Sequence, residues 1–336
     1  MRIRRVSLGD PAWQRFVDRH SDTLAYHQPA WAGLIGRVYR FDPFCLVLVD
    51  GDDNIRGGVP VIATGRRHRR WSSLPFTDIC PPLVDAETTV DLLVDALEDG
   101  RAAAGIRRFA IRDGSERGRQ YAIGVRHTLT LTDHDTLWAN FHPSQVRRSV
   151  RRAERDGVRV RVGTRLDDMR AYFGLHLATR RRLGVPCQPR RFFDAVWHDM
   201  IAPGHGEVLL AERNDAAIAG IVLLTGSRTV TYKYGASLID AWPHRPNHAL
   251  FWHAIRVATE RGYHTFDFGR SETADAGLRS FKASWGAAEV PLHYTILGDG
   301  AAVGGFGTPR VARVVLQRAP SVVCRAAGEM LYRFTA

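Results

Sequence analysis

The chain has 336 residues, 45% of them hydrophobic, and carries 47 Lys+Arg against 35 Asp+Glu, a net charge of +12. That length is about twice a common domain, so two domains are expected, while no apolar run reaches the roughly 18–20 residues of a bilayer span. The N-terminal MRIRRVSLGDPAW has no apolar stretch behind its arginines, so it does not read as a secretory signal. Cys45, Cys80, Cys187 and Cys324 are scattered with no CxxC pair. This argues against a zinc site and a disulfide framework, and fits a reducing cytoplasm; no metal or cofactor is expected.

All but two of the basic residues are arginine, the lysines being Lys233 and Lys282. Arginine replaces lysine on surfaces but not where a compact or deprotonatable amine is needed, so both lysines are candidates for chemistry. Residues 147–191 hold fourteen arginines against Glu154, Asp156, Asp167 and Asp168, a segmental charge of +10. Such an excess reads either as a solvated helix face or as a surface for a polyanion: nucleic acid, nucleotide phosphates or an anionic membrane.

In chain order, Pro11–Arg19 and Pro29–Val38 read as helices. Phe44–Val49 and Ile55–Thr64 read as strands joined by the turn-forming Asp50-Gly51-Asp52-Asp53-Asn54. Trp71–Leu74 is a possible third strand before the proline-bracketed loop PFTDICPPL (75–83). Thr88–Ala104 reads as a helix with Leu92, Leu93 and Leu97 on one face, and Phe109–Arg112 and His127–Leu131 as strands. A helix from about Asp135 to Asp156 stops at Gly157, ahead of the alternating VRVRV (158–162). Helices follow at Leu166–Leu183 and Arg191–Met200, then strands at Glu207–Glu212, Ala217–Thr225 and Thr229–Gly235. A helix at His248–Arg261, a strand at Thr265–Phe268, a short helix at Gly277–Ser284 and a strand at Pro291–Leu297 complete the order. The glycine-rich 298–307 leads to an amphipathic helix, Pro309–Phe334, with its basic residues expected outside.

Helix, helix, three-strand meander, helix, strand, helix, strand is the order of an acetyltransferase-like α/β unit, and the first half is a looser version of it. The segment 232–294 resembles the FemABX family on the GNAT fold. The residues carrying this are Tyr234-Gly235-Ala236-Ser237, Arg245-Pro246-Asn247, Trp252 and Ile255, Gly262, Phe266-Asp267-Phe268-Gly269, and Phe281-Lys282 before Trp285-Gly286-Ala287. Upstream, HPSQVRRSVRRAERDGVRV (142–160) is similar to the family's basic helix, and PFTDICPPL carries a thinner likeness. The resemblance implies an α/β fold of two tandem GNAT-like domains, mixed central sheets flanked by helices, at 1–133 and 134–298. The tail 299–336 is expected to return its helix to the first domain. It also implies acyl transfer to an amine, in the family's ligases from aminoacyl-tRNA. No sustained heptad run marks the long coiled-coil arm of some members.

Lys282 matches the lysine of the family's Phe-Lys pair. Aminolysis of an ester passes through an oxyanion, and a fixed cation beside it stabilises the transition state, an effect often worth about 3–4 kcal/mol. Phe281 packs under its stem or belongs to the core. Asp78 and Asp267 are candidates to orient the acceptor amine or take its proton. An ion pair of Asp267 with Arg270, or a turn, is the plainer reading there, and an Asx-turn is the equal alternative at Asp78. Tyr234, Arg245, Asn247, Arg270 and Trp31 are candidate substrate contacts; plain helix capping competes at Arg245 and Asn247, and core packing at Trp31. Lys233 alternates with Tyr232 and Tyr234, and a solvent-facing position is its plainer reading. Arg147, Arg148, Arg151, Arg152 and Arg155 are the candidate tRNA contacts. Before the 248–261 helix the chain has Arg245-Pro246-Asn247-His248-Ala249-Leu250, without the glycines expected of a CoA pyrophosphate loop. Three functions stand: an aminoacyltransferase using aminoacyl-tRNA and a small-molecule or precursor acceptor, an N-acyltransferase using acyl-CoA or a carrier protein, and a non-catalytic RNA- or membrane-surface-binding protein.

Overall fold

The structure, a computed structural model, describes residues 1–64 and 69–299, together with Gln317 and Cys324. Thirteen strands form one mixed sheet. In the first half, β1 (Arg2–Val6), β2 (Asp42–Val49), β3 (Ile55–Thr64) and β4 (Arg70–Ser72) run antiparallel in succession, and short β5 (Leu83–Val84) pairs with β3. Helix α3 (Val90–Ala103) then carries the chain to β6 (Arg108–Arg112), parallel to β4. The second half repeats this scheme. Strands β8 (Arg159–Val162), β9 (Gly206–Arg213), β10 (Ala216–Thr225) and β11 (Thr229–Ser237) are antiparallel, and α8 (Pro246–Glu260) crosses to β12 (Thr265–Ser271), parallel to β11.

The two series meet through exchanged strands. β7 (Arg119–Thr130), which follows the first series, pairs with β12; β13 (Ala288–Gly298), which follows the second, pairs with β6 and also with β7. The expected tandem units are thus joined edge to edge in a single sheet rather than built on separate ones.

Helices α1 (Pro11–Arg19), α2 (Pro29–Tyr39), α6 (Leu166–Leu183) and α7 (Arg190–Val196) and those above cover the sheet. The apolar runs of β2, β9 and β10 are buried almost throughout, as central strands covered on both faces must be. The largest core cluster mixes the halves, bringing Trp31, Leu34 and Ile79 together with Tyr172, Phe192, Phe193 and Val222. Phe192 meets Trp31 edge-on at 6.1 Å. Truncating a buried phenylalanine of this kind costs about 3–5 kcal/mol, so this contact ties the halves firmly.

Several expected elements differ. The single helix over 135–156 is α4 (His134–Asn140), a π-helical turn (Pro143–Arg147) and α5 (Arg148–Arg155). Pro143 lacks an N–H and forces His142 out of the helical region, which breaks the helix there. Strand β7 begins well before His127, and β1 is an unexpected strand: three of its five residues are arginine, which suits the edge of the sheet where it lies. Leu92 is 45% exposed whereas Leu93 and Leu97 are buried, so the three do not share one core face. The expected helix at 309–334 lies outside the described residues, except that Gln317 Nε2 donates to the Arg182 carbonyl at 3.2 Å and Cys324 is buried.

Candidate active site

Two bulges sit where β7 is flanked by its exchanged neighbours. The register of β12 on β7 slips between Asp267 and Arg270, and that of β13 on β7 between Leu292 and His293. Gly269, with φ 70°, turns the first bulge, and Gly124, with φ 140°, stands at the second, where a Cβ would collide with the Ser271 carbonyl. Bulges re-aim backbone groups, and they often lie beside reacting sites. Here the first bulge turns the carbonyls of Gly269 and Arg270 toward α9 (Ala276–Ala283), where Lys282 Nζ donates to both at 2.9 Å.

Lys282 is 2% exposed, which overturns a helix-surface reading. Burial lowers its pKa to about 8, although Asp78 and Asp267 favour its charged form. Among the described residues no carboxylate comes within ion-pair distance of its Nζ. An ammonium has three donors, so one N–H remains beyond the two carbonyls. Phe281 points the other way, its ring 5.3 Å from that of His248 and 5.6 Å from that of Phe251.

Asp78 comes to the same place from the first half. Its loop is pinned from several sides. Trp31 Nε1 donates to Thr77 Oγ1 at 3.0 Å, and Arg112 donates to the Thr77 carbonyl at 2.8 Å and to the Tyr294 hydroxyl at 2.5 Å. The Tyr294 hydroxyl in turn donates to the Asp78 carbonyl at 3.2 Å. His27 accepts from Leu24 N–H at 2.9 Å through Nδ1 and faces the Pro81 carbonyl at 2.8 Å through Nε2. This fixes the neutral tautomer with the proton on Nε2, and burial lowers the His27 pKa to about 4.

Lys233 is not solvent-facing: its side chain is 4% exposed. Its Nζ donates to the Phe76 carbonyl at 2.9 Å and lies 3.6 Å from Asp78 Oδ2. The rings of Tyr26, Tyr234 and Trp31 surround the ammonium at 5.2, 5.4 and 5.9 Å. Burial pushes its pKa down and Asp78 pushes it back up. For Asp78 itself, burial favours the neutral acid, but Lys233, Arg270, Arg112 and Lys282 outweigh it and hold the carboxyl below its ordinary range. Asp78 is therefore an ion-pair partner rather than an Asx-turn residue. Its side chain keeps 37% exposure, which makes it the wet end of an otherwise buried group. The Tyr26 hydroxyl is fully buried in the same group and has no hydrogen-bond partner among the described residues.

Asp267 pairs not with Arg270 but with Arg126, at 3.0 Å from Nε and 2.9 Å from the terminal nitrogen. Its other oxygen accepts from Gly269 N–H at 2.7 Å and so holds the bulge. Arg270 donates to the Ile123 carbonyl at 2.7 Å. Tyr234 packs its ring on Phe193 and Phe192. The structure thus brings Lys282, Asp78, Asp267, Arg270, Trp31 and Tyr234 to one junction. Arg126, Arg112, Tyr26 and Tyr294 join them and were not foreseen. They stand on strands and a turn whose partners are distant in sequence, so no local pattern marks them.

Arg245 and Asn247 lie apart, at the start of α8. Arg245 is exposed with φ 56°, and Asn247 Nδ2 donates to Ser237 Oγ at 3.4 Å. His248 stacks on Trp285 with centroids 6.0 Å apart. On α5, Arg148, Arg151, Arg152 and Arg155 are exposed, while Arg147, in the π-helical turn before it, is half-buried. The segment leading into this helix is tied to the chain just after Lys282, because His142 N–H donates to the Ser284 carbonyl at 2.9 Å.

Residues 141–282, ending on Lys282, match the family described as Acetyltransferase (GNAT) domain. The fold is similar to that of FemX, with a TM-score of 0.69 at 16% identity over 88% of this chain and 98% of that one. It is similar to the C-terminal domain of a putative lysylphosphatidylglycerol synthetase from Agrobacterium fabrum, with a TM-score of 0.58 at 17% identity over 91% and 93%. A tandem GNAT protein from the clavulanic acid biosynthesis pathway aligns at a TM-score of 0.50 and 10% identity over 89% and 100%. No curated protein matches the chain. These likenesses show a mixed α/β fold of the GNAT type with two GNAT-like units in tandem, similar to that of FemX. Among the described residues no helix is long and apolar enough to cross a membrane.

Proposed function

We propose that the protein forms an amide bond in the cytoplasm, taking an aminoacyl group from aminoacyl-tRNA and delivering it to an amine of a small-molecule or precursor acceptor. The observation that carries this reading is Lys282: a buried ammonium, held by two carbonyls, unpaired with any carboxylate among the described residues, in the field of the wet carboxylate of Asp78 across the junction of the halves. In the proposed step the acceptor nitrogen attacks the ester carbonyl and an oxyanion forms beside the remaining N–H of Lys282. The intermediate collapses by breaking the C–O bond to the ribose. Asp78 receives the proton the amine gives up, and that proton leaves with the ribose oxygen. Asp267, engaged by Arg126 and Gly269, is a positioning residue for the bulge. The tRNA backbone follows the exposed arginines of α5.

An acyl-CoA donor fits less well. At the start of α8, Pro246 has no N–H, and the N–H groups of His248 and Ala249 both return to the Arg245 carbonyl at 3.0 and 3.4 Å. Few backbone donors are left for a pyrophosphate.

The test offers charged tRNA or acyl-CoA to the purified protein with a panel of amines, with and without nuclease. Turnover with charged tRNA, abolished by nuclease, is expected. Affinity for tRNA should fall with salt at a log–log slope of about −0.7 to −0.9 per phosphate contact. Neutralising Arg147, Arg148, Arg151 and Arg152 together should flatten that slope. Turnover with acyl-CoA alone, or a slope unchanged in the variant, overturns the tRNA donor.

A further inference from the structure

Leu238, Ile239 and Trp242 are exposed by 37, 53 and 43%, three of the few large apolar side chains left in water among the described residues. Ile239 and Trp242 fall on one short 3-10 turn, Ile239–His244, that follows β11, and Leu238 is the residue just before it. The turn is firmly held. Leu238 N–H donates to the Ile218 carbonyl at 3.0 Å, Trp242 Nε1 donates to Ser237 Oγ at 3.0 Å, and the backbone of Ser237 is tied through both its N–H and its carbonyl to Thr179 Oγ1. Arg245 closes the turn in the left-handed region. The backbone is satisfied and the apolar side chains are displayed.

Both flanks of this turn are basic, while the turn itself carries one acid, the exposed Asp240. On one side the Arg182 guanidinium lies 4.8 Å over the Trp242 ring, with Arg181 exposed next to it at the end of α6. On the other, His244 Nδ1 meets Asp156 Oδ2 at 2.8 Å and ties the turn to the end of α5, where Arg155 is exposed. We infer that this turn docks the protein on an anionic lipid surface, with Leu238, Ile239 and Trp242 entering the interface and the arginines on either side meeting headgroups. Arg155, Arg181, Arg182 and Arg245 outnumber the single Asp240 carboxylate, so charge complementarity still selects an anionic partner. The aliphatic pair selects lipid over RNA, because Leu238 and Ile239 offer no ring face on which a base could stack, whereas a bilayer interface accepts aliphatic side chains with tryptophan at headgroup level. The inference does not rest on the proposed donor.

The experiment is co-sedimentation of the full chain with vesicles of phosphatidylcholine alone or mixed with phosphatidylglycerol. Retention on the mixed vesicles and little on phosphatidylcholine is expected. Ile239→Ser combined with Trp242→Ala should weaken retention at least about ten-fold. Arg181→Gln and Arg182→Gln should each weaken it about five-fold, from the usual gain per basic residue at an anionic surface. If Trp242→Ala disturbs folding, Ile239→Ser alone decides, because that side chain is the most exposed of the three. No retention on mixed vesicles overturns the proposal. So does retention that the apolar variants leave unchanged, which would be charge attraction without docking. Binding to single-stranded RNA that Trp242→Ala weakens, without vesicle retention, would make the turn an RNA contact instead.

Discussion

Lys233 and Lys282 are both buried, yet they sit in opposite electrical situations. Lys233 has a carboxylate at 3.6 Å, a carbonyl at 2.9 Å and three aromatic rings around it, so its charge is answered where it stands. Lys282 has two carbonyls and, among the described residues, no carboxylate within ion-pair distance. A buried charge that is paired holds structure together, and one left incompletely answered is poised for an incoming charge. The same residue type thus serves the frame on β11 and the proposed chemistry on α9.

The largest effect that sharpens this contrast is on turnover. Lys282→Ala should lower turnover about 10²–10³-fold, the range for losing one oxyanion donor, with Lys282→Arg between that variant and the native chain. Near-normal turnover in both variants would remove Lys282 from the mechanism; a raised KM with kcat spared would move it to donor binding. Because its pKa is lowered to about 8, turnover that needs the ammonium should fall as pH rises through 8. A rate profile that stays flat to pH 10 would contradict the charged role.

Next in size is stability. Lys233→Met leaves Asp78 without its partner and should cost about 2 kcal/mol, read from denaturant midpoints. This is below the roughly 3–5 kcal/mol of a fully buried pair, because Asp78 is 37% exposed and water can take over its solvation. The same variant should raise the Asp78 pKa, since Lys233 is the foremost group holding it down. No change in stability would mean that the pair carries no structural weight.

The smallest effect concerns the loop behind Asp78. His27 is lowered to about 4 from an ordinary 6.5, so the unfolded chain binds the proton first as pH falls. Its contribution to stability is full above 6.5 and drains away between 6.5 and 4, by about 1 kcal/mol at pH 5.5. His27→Gln should flatten that part of a stability–pH curve relative to the native chain; an unchanged curve would exclude His27 as the origin.

Much of the architecture was legible locally. The boundaries of β3 and α6 follow directly from their apolar runs and flanking turns, and the Phe-Lys pair pointed to Lys282. The direction of Lys233 was not legible, because alternation gives two faces and does not say that both are covered. The partner of Asp267 was not legible either: Arg126 reaches it only through β7, which crosses into the neighbouring half, while Arg270 looked nearer along the chain. The break at Pro143 did carry its own signal, a proline inside a helical pattern.

The exchange of β7 and β13 sets the order in which the molecule can be completed during synthesis. β6 and β7 emerge early, but the strand that lies between them begins about 160 residues later, at Ala288. At about 5–20 residues per second, a ribosome leaves that slot open for roughly 8–30 s. Throughout that interval Phe109 and Ile111, buried in the finished protein, lie on a strand with an unsatisfied edge, open to pairing with a neighbouring nascent chain.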